Sequence, residues 1–268
     1  MAFDLLAEVV SPVGRELVAR LLGHHVTPGP DVLAELVDGI TLGMDAGLDP
    51  ARRGVAIRSR AVFDTMVTQA VSGTPRCELI SRLLHEFDKI QLSDAMGLNS
   101  IRVLALSLYA AVTGAIANVV HTVLEHSNET ARSVLDPTDK AFVDELLRFD
   151  SAVQATTRVA LRTTGLAGQT IRAGQDVTVL LGAANRDPDA FGDPDALCPR
   201  RSHNPHLSFS HGAHYCLGSD LGREIIAMVL STLDKADSAL ESAGPPSFLP
   251  IATMRRIGVL PVRMRAVR

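Results

Sequence analysis

Residues 209–218 read Phe209-Ser-His-Gly212-Ala-His214-Tyr-Cys216-Leu-Gly218. One of only three cysteines stands here in a glycine-rich turn. An apolar stretch with helical spacing follows it and predicts a helix over 217–233. Backbone N–H groups and the positive end of that helix would face the sulfur, and both favour a thiolate over a thiol. Gly212 and Gly218 let the backbone turn tightly and approach a flat partner closely. His214 can place a donor beside the sulfur. A thiolate presented in this way serves as a nucleophile or as a metal ligand. A buried, inert cysteine in a turn is the other reading of these residues alone.

Composition narrows the field. The chain has 268 residues, 46% of them hydrophobic and 21% charged, which is ample for a packed core and speaks against disorder. The formal net charge is −4 and no basic block occurs, so nucleic acid is not expected as a partner. Aromatic residues make up 4% with no Trp, so a stacking surface for single strands is not expected either. Cys77, Cys198 and Cys216 are odd in number and scattered, which matches neither a disulfide framework nor zinc-ligand spacing. A reducing, cytoplasmic setting fits them. The first residues carry acids where a secretory signal carries bases. Residues 103–124 hold no Asp, Glu, Lys or Arg and are long enough to span a bilayer. They also hold Ser107, Tyr109, Thr113, Asn118 and His121. The expectation is therefore no membrane, and a central helix buried on all sides of a soluble domain.

Hydrophobic spacing predicts helices over 5–22, 32–44, 51–71, 78–84, 101–126 and 139–149. The Pro28-Gly29-Pro30 run and the 47–50 stretch break the pattern between them. The texture then changes. Arg158-Val-Ala-Leu-Arg and residues 176–181 are β-branched and read as strands, with Gly165, Gly168 and Gly174 at turns. Residues 186–210 read as irregular, and a strand pair is expected near 255–264. The expected fold is mainly α (α+β) with a small late sheet. No repeat or low-complexity linker interrupts residues 1–268, so a single domain is expected.

Several motifs, in order, resemble one family. The Phe209–Gly218 stretch resembles the heme-binding loop of cytochromes P450, Phe-x-x-Gly-x-His-x-Cys-x-Gly. Glu145-Leu-Leu-Arg148 matches that family's Glu-x-x-Arg helix. Val153-Gln-Ala-Thr-Thr-Arg158 resembles its next strand. Ala184-Asn-Arg-Asp-Pro188-Asp-Ala-Phe191, Arg201-Ser-His-Asn204-Pro-His206-Leu and Met44-Asp-Ala-Gly-Leu-Asp49 resemble further bacterial P450 stretches. The resemblance implies a P450-like fold with heme b as cofactor. It implies that the Cys216 thiolate ligates the heme iron, that His214 and Arg158 hold propionates, and that Phe209 packs on the proximal side. It also implies that Glu145, Arg148 and Arg201 form a buried structural network.

Two departures shape the functional expectation. The chain is considerably shorter than P450s, and Met1-Ala-Phe-Asp-Leu-Leu-Ala-Glu resembles text that follows the helix crossing the heme edge. The implied fold is thus truncated, without the family's amino-terminal strands and first helices. The strand at 176–181 would lie at an open sheet edge, and a homodimer or a partner protein is expected to cover it. The second departure concerns the central helix. The family carries an acid and an alcohol in Ala-Gly-x-Asp/Glu-Thr, whereas the best match here is Ala110-Ala111-Val112-Thr113-Gly114. Thr113 is the one candidate catalytic hydroxyl, and bonding to its own preceding turn is the alternative. Ser210 also stands where the loop's usual first glycine lies.

The resemblance implies an atypical P450-family protein of actinobacterial natural-product biosynthesis. Oxidative chemistry on a small apolar metabolite is expected, with ordinary monooxygenation not expected and a ferredoxin as redox partner. A heme-independent cyclase or rearrangement enzyme of the same fold is one alternative. A non-catalytic helper of a partner enzyme is another.

Overall fold

The computed structural model describes residues 2–45, 47, 49–74, 76–126, 139–235 and 240–264, with the side chains of 234 and 235 excepted. Ala46 and Leu48, within the Met44–Asp49 stretch, lie outside them. The first half is helical. Strand β1 (Ala2–Asp4) leads through a π-type turn at Leu6–Val10 into α1 (Ser11–Leu22). Then come α2 (Pro30–Leu42), α3 (Arg52–Ser72), α4 (Glu78–Lys89), α5 (Asp94–Glu125) and α6 (Lys140–Phe149). Proline suits the first turn of α2, where its missing N–H has no intrahelical partner in any case. Asp139 caps α6 by accepting the Ala141 N–H at 2.9 Å.

Helix α5 begins seven residues before the expected start at 101, because Ser93 accepts the Met96 N–H and nucleates an earlier turn. It meets the length and apolarity needed to cross a membrane, and just over half of its most apolar stretch is buried within the protein. Two hydrophobic clusters share it. One joins Ile116, Val120 and Val123 to Leu146, Ile226 and Leu230. The other joins Ile101, Ala105 and Tyr109 to Val18, Leu33 and Phe63. Each such leucine, isoleucine or valine contributes about 1.5–3 kcal/mol when fully buried. The expectation of burial on all sides is corrected. Val103 is 55% exposed and Ser107 is exposed, so an uncovered stripe runs along the helix at i, i+4 spacing.

The second half holds short strands. Strand β2 (Ala155–Val159) pairs antiparallel with β5 (Asp176–Leu180), Arg158 opposite Val177. Between them β3 (Thr164–Leu166) and β4 (Gln169–Ile171) form a hairpin. Its two turn residues, Ala167 and Gly168, both have positive φ, as a two-residue hairpin turn with matched twist requires. Among the described residues neither β2 nor β5 has a third strand beside it, and Leu180 is 58% exposed. A short α7 (Leu181–Ala184) and an irregular stretch lead to α8 (Ser219–Lys235). Strands β6 (Leu240–Ser242), β7 (Ser247–Phe248), β8 (Ile257–Val259) and β9 (Pro261–Met264) close the described chain.

The expected strand pair near 255–264 is corrected. The two strands there do not pair with each other. Strand β8 pairs with β7, and β9 lies between β1 and β6. Ala2 opposes Arg263, so the two ends of the chain meet in one sheet. Three residues are too few for a periodicity signal, which is why β1 escapes sequence reading.

Candidate functional site: the Cys216 loop and its support

The loop that carries Cys216 is built by backbone hydrogen bonds. Ser210 N–H donates to the Leu207 carbonyl at 2.8 Å, Tyr215 N–H to Gly212 at 2.9 Å and Cys216 N–H to Phe209 at 2.9 Å. Closing this loop demands left-handed backbone at Ser210 (φ 62°) and Gly212 (φ 71°). Glycine adopts that conformation freely, whereas Ser210 bears strain there. Helix α8 starts at Ser219, two residues later than expected, and the Cys216 carbonyl accepts the Ser219 N–H at 3.3 Å. A Cβ at Gly218 would stand 3.8 Å from the Cys216 Sγ, so the thiol leans over that glycine.

Phe209 ties the loop to α8. Its ring lies against the Gly222 backbone, where a Cβ would come within 3.4 Å, and the Arg223 guanidinium stacks 4.6 Å from its centroid. Arg223 Nε donates to Asp144 at 2.7 Å, and the His206 ring faces the same oxygen at 3.3 Å. Burial pushes the Asp144 carboxyl up, but hydrogen bonds from His206 and Arg223 outweigh it and hold the group below the usual aspartate range. Tyr215 is drawn down by hydrogen bonding to Ser219 and then Arg223. Sequence reading missed this cluster, although Asp144 adjoins Glu145 in the Glu-x-x-Arg helix.

The deeper support centres on Glu145. Arg148 donates to both of its oxygens at 2.8 Å, and Arg201 Nε to one of them at 3.0 Å. The Cys198 N–H adds a 2.8 Å bond and Asn204 a 3.3 Å one. Burial pushes Glu145 up, but these donors prevail and hold it below the ordinary glutamate range. Arg148 spends its remaining N–H groups on the carbonyls of Asn185, Pro194 and Ala196 at 2.8–3.1 Å. A buried charge is tolerable only when fully paired in this way. The chain then continues outward. Asn185 is fully buried, donates to Ser208 Oγ at 2.9 Å and accepts the Leu207 N–H at 2.7 Å. Ser208 donates to the Leu147 carbonyl at 2.8 Å. Helix α6 is thereby bonded to the start of the cysteine loop through Asn185, a residue that sequence reading did not single out.

The other sequence-derived candidates fall in different places. His214 is exposed in the short turn before Cys216. Arg158 is half-buried on β2, and its guanidinium donates to Thr156 Oγ1 at 2.7 Å and to the Thr157 carbonyl at 2.9 Å. No hydrogen bond or ion pair joins it to the loop among the described residues. Thr113 takes the alternative given for it, bonding to its own preceding turn. Its hydroxyl donates to the Tyr109 carbonyl at 2.7 Å, and its methyl group crowds Gly14 of α1. It faces a helix–helix contact, whereas the uncovered stripe of α5 passes through Val103 and Ser107 toward the partly buried Ala111. The helical rotation that decides this cannot be read from a motif alignment.

The residues around the thiol fit a flat apolar cofactor. Cys216 is exposed, and Leu217 beside it is 96% exposed, so a thiol and an apolar side chain stand uncovered together. A Cβ at Gly212 would meet nothing within 4 Å, so the space beside that turn is open. Among the described residues no group of three or more His, Cys, Asp or Glu could hold a bare metal ion.

Comparison with known proteins agrees. The family described as Cytochrome P450 matches residues 112–233. The "Biotin biosynthesis cytochrome P450" of Bacillus subtilis is 35% identical over 210 residues, covering 78% of this chain and 53% of that protein. The erythromycin C-12 hydroxylase of Saccharopolyspora erythraea is 33% identical over 262 residues, covering 89% of this chain and 64% of its own length. The chain thus spans between about half and two thirds of these relatives. A solved structure described among unusual cytochrome P450-like monooxygenases of microbial secondary metabolism superimposes with a TM-score of 0.78 at 28% identity. It matches over 97% of this chain and 69% of its own.

Proposed function

Because this chain belongs to the cytochrome P450 superfamily, we propose that it is a heme-thiolate protein of bacterial natural-product biosynthesis acting oxidatively on a small apolar metabolite. The observation that carries this reading is the Cys216 loop, an exposed thiol above Gly218 held to α6 through Asn185. Heme b, the family's cofactor, supplies oxygen chemistry when bound. In this reading the Cys216 thiolate would ligate the heme iron and donate electron density to it. His214 and Arg158 would hold the propionates by charge-assisted hydrogen bonds, for which Arg158 would have to give up its bonds to Thr156 and Thr157. The Glu145–Arg148–Arg201 cluster keeps the loop from collapsing. A ferredoxin is the redox partner, and a second copy of the chain covers the free β5 edge.

Proton delivery is the unusual part. Thr113 is committed to the Tyr109 carbonyl, and α5 has no acid between Val103 and Leu124. Ser107 is the hydroxyl on the uncovered stripe. This favours, as a second reading, chemistry on the same fold that needs no proton relay from α5, such as cyclisation or rearrangement. A carbon monoxide difference spectrum of the reduced protein, grown with heme precursor, tests the first reading. A thiolate-type Soret band supports it, and a protein that folds and takes up no heme refutes it.

A further inference from the structure

A cavity of about 660 Å³ lies between α2, α3 and α5. That volume suits a small organic ligand. Its walls are apolar along Ile40, Met44, Ile57, Phe63, Val103 and Leu106. Three arginines also line it, Arg53, Arg60 and Arg102, with a single carboxylate, Asp64. Asp64 faces Arg102 Nε at 3.0 Å and Arg60 Nε at 3.7 Å. One negative charge therefore stands against three positive ones. Arg102 Nε is out of contact with solvent yet in no hydrogen bond, despite its closeness to Asp64. Arg53 stands on the first turn of α3; its backbone N–H donates to the Pro50 carbonyl at 3.2 Å, and its guanidinium forms no ion pair or hydrogen bond with any described residue.

Guanidinium groups present a planar donor fork that matches a carboxylate. Arg53 and Arg60 are exposed, so water solvates them in the empty cavity, and a ligand that displaces this water beside the apolar wall must supply a negative charge in its place. An uncharged ligand would leave that surplus in place. We propose that this cavity binds an apolar small molecule that ends in a carboxylate. The apolar body lies against Ile57, Phe63, Val103 and Leu106, and the carboxylate sits between Arg53 and Arg60. Asp64 fixes Arg102 at the cavity edge. The inference deepens the oxidative reading above, since it names the substrate class, but binding to the cavity requires no turnover.

The test compares decanoate with decan-1-ol, which share an apolar chain and differ in charge. Both are titrated calorimetrically into the full chain at low ionic strength. Decanoate should bind about tenfold more tightly or better, the size of one charge-assisted hydrogen bond. The Arg53→Ala/Arg60→Gln double variant should lose that preference while its affinity for the alcohol stays unchanged. Neither side chain is buried, and unchanged melting of the variant would exclude misfolding. Equal binding of acid and alcohol, no binding of decanoate, or a preference that survives the double substitution overturns the proposal. The carbon monoxide spectrum reports separately on heme ligation. Loss of the band with the carboxylate preference intact removes the oxidative reading and leaves the site. The converse result removes only the site.

Discussion

Glu145 and Arg148, one helical turn apart on α6, form a two-bond ion pair with both side chains wholly out of solvent. Arg201 adds a third charge to the pair from 53 residues beyond Arg148 (201 − 148). The cluster is therefore a clasp between the helical half of the chain and the irregular stretch before the cysteine loop.

Removing its centre should unfold more than it disables. Glu145→Ala leaves Arg148 and Arg201 buried and unpaired, at a cost of about 3–5 kcal/mol. Urea denaturation should show the midpoint falling by a corresponding amount. A soluble variant with the parent's midpoint would contradict this role.

The link from the clasp to the loop runs through Asn185. Asn185→Ala strands the Leu207 N–H and leaves Ser208 Oγ with only its bond to the Leu147 carbonyl, at about 1–3 kcal/mol for an unmet buried donor. Cofactor release, followed by heme transfer to apomyoglobin, should quicken more than the melting temperature falls. If release is unchanged, the link has no bearing on the loop.

Cys216→Ala should abolish the thiolate Soret band, whereas Cys77→Ala and Cys198→Ala should leave it intact. Both are partly buried, Cys77 with its thiol on the Arg20 carbonyl and Cys198 in the stretch bonded to Glu145, whereas Cys216 is exposed in the loop. Loss of the band in either of these two variants would falsify the ligand assignment.

Ser210 holds a left-handed conformation that costs a non-glycine residue about 1–2 kcal/mol. Ser210→Gly should therefore stabilise the protein by about 1 kcal/mol, after allowance for the greater entropy of glycine in the unfolded chain. Thermal melting checks it, and a drop in stability would show that the serine is not strained.

Acid should weaken the fold in a defined way. Hydrogen bonds hold Asp144 below its usual range against the opposing effect of burial. A depressed carboxyl contributes stability above the unfolded value near pH ~4 and loses it as pH falls through the folded value. Asp38 and Asp150 act with the opposite sign. Burial raises them against Arg256 and Arg255 respectively, so their contribution declines as pH rises through the same region. The stability gap between the parent and Asp144→Asn should thus be widest near neutrality and narrow below about pH 4. A constant gap across that range would remove the electrostatic account.

Local chemistry made much of this protein legible. The Cys216 turn, the Glu-x-x-Arg pair and most helix bounds are written in short contiguous stretches, because caps, glycine turns and i, i+3 pairs act within one or two turns of chain. The mainly helical plan with a late sheet follows from periodicity alone. Long-range geometry decided the rest. Ala2 finds Arg263, and β8 and β9 find separate partners, because strand pairing depends on closing long loops that no local pattern encodes. Thr113 faces α1 because packing of the whole α5 face sets the helix rotation, and a single-residue shift moves a side chain by about 100°. Asn185 and the arginines around the cavity each look ordinary in sequence. Only the fold brings Arg53, Arg60 and Arg102, drawn from two helices, to one wall with a single carboxylate between them.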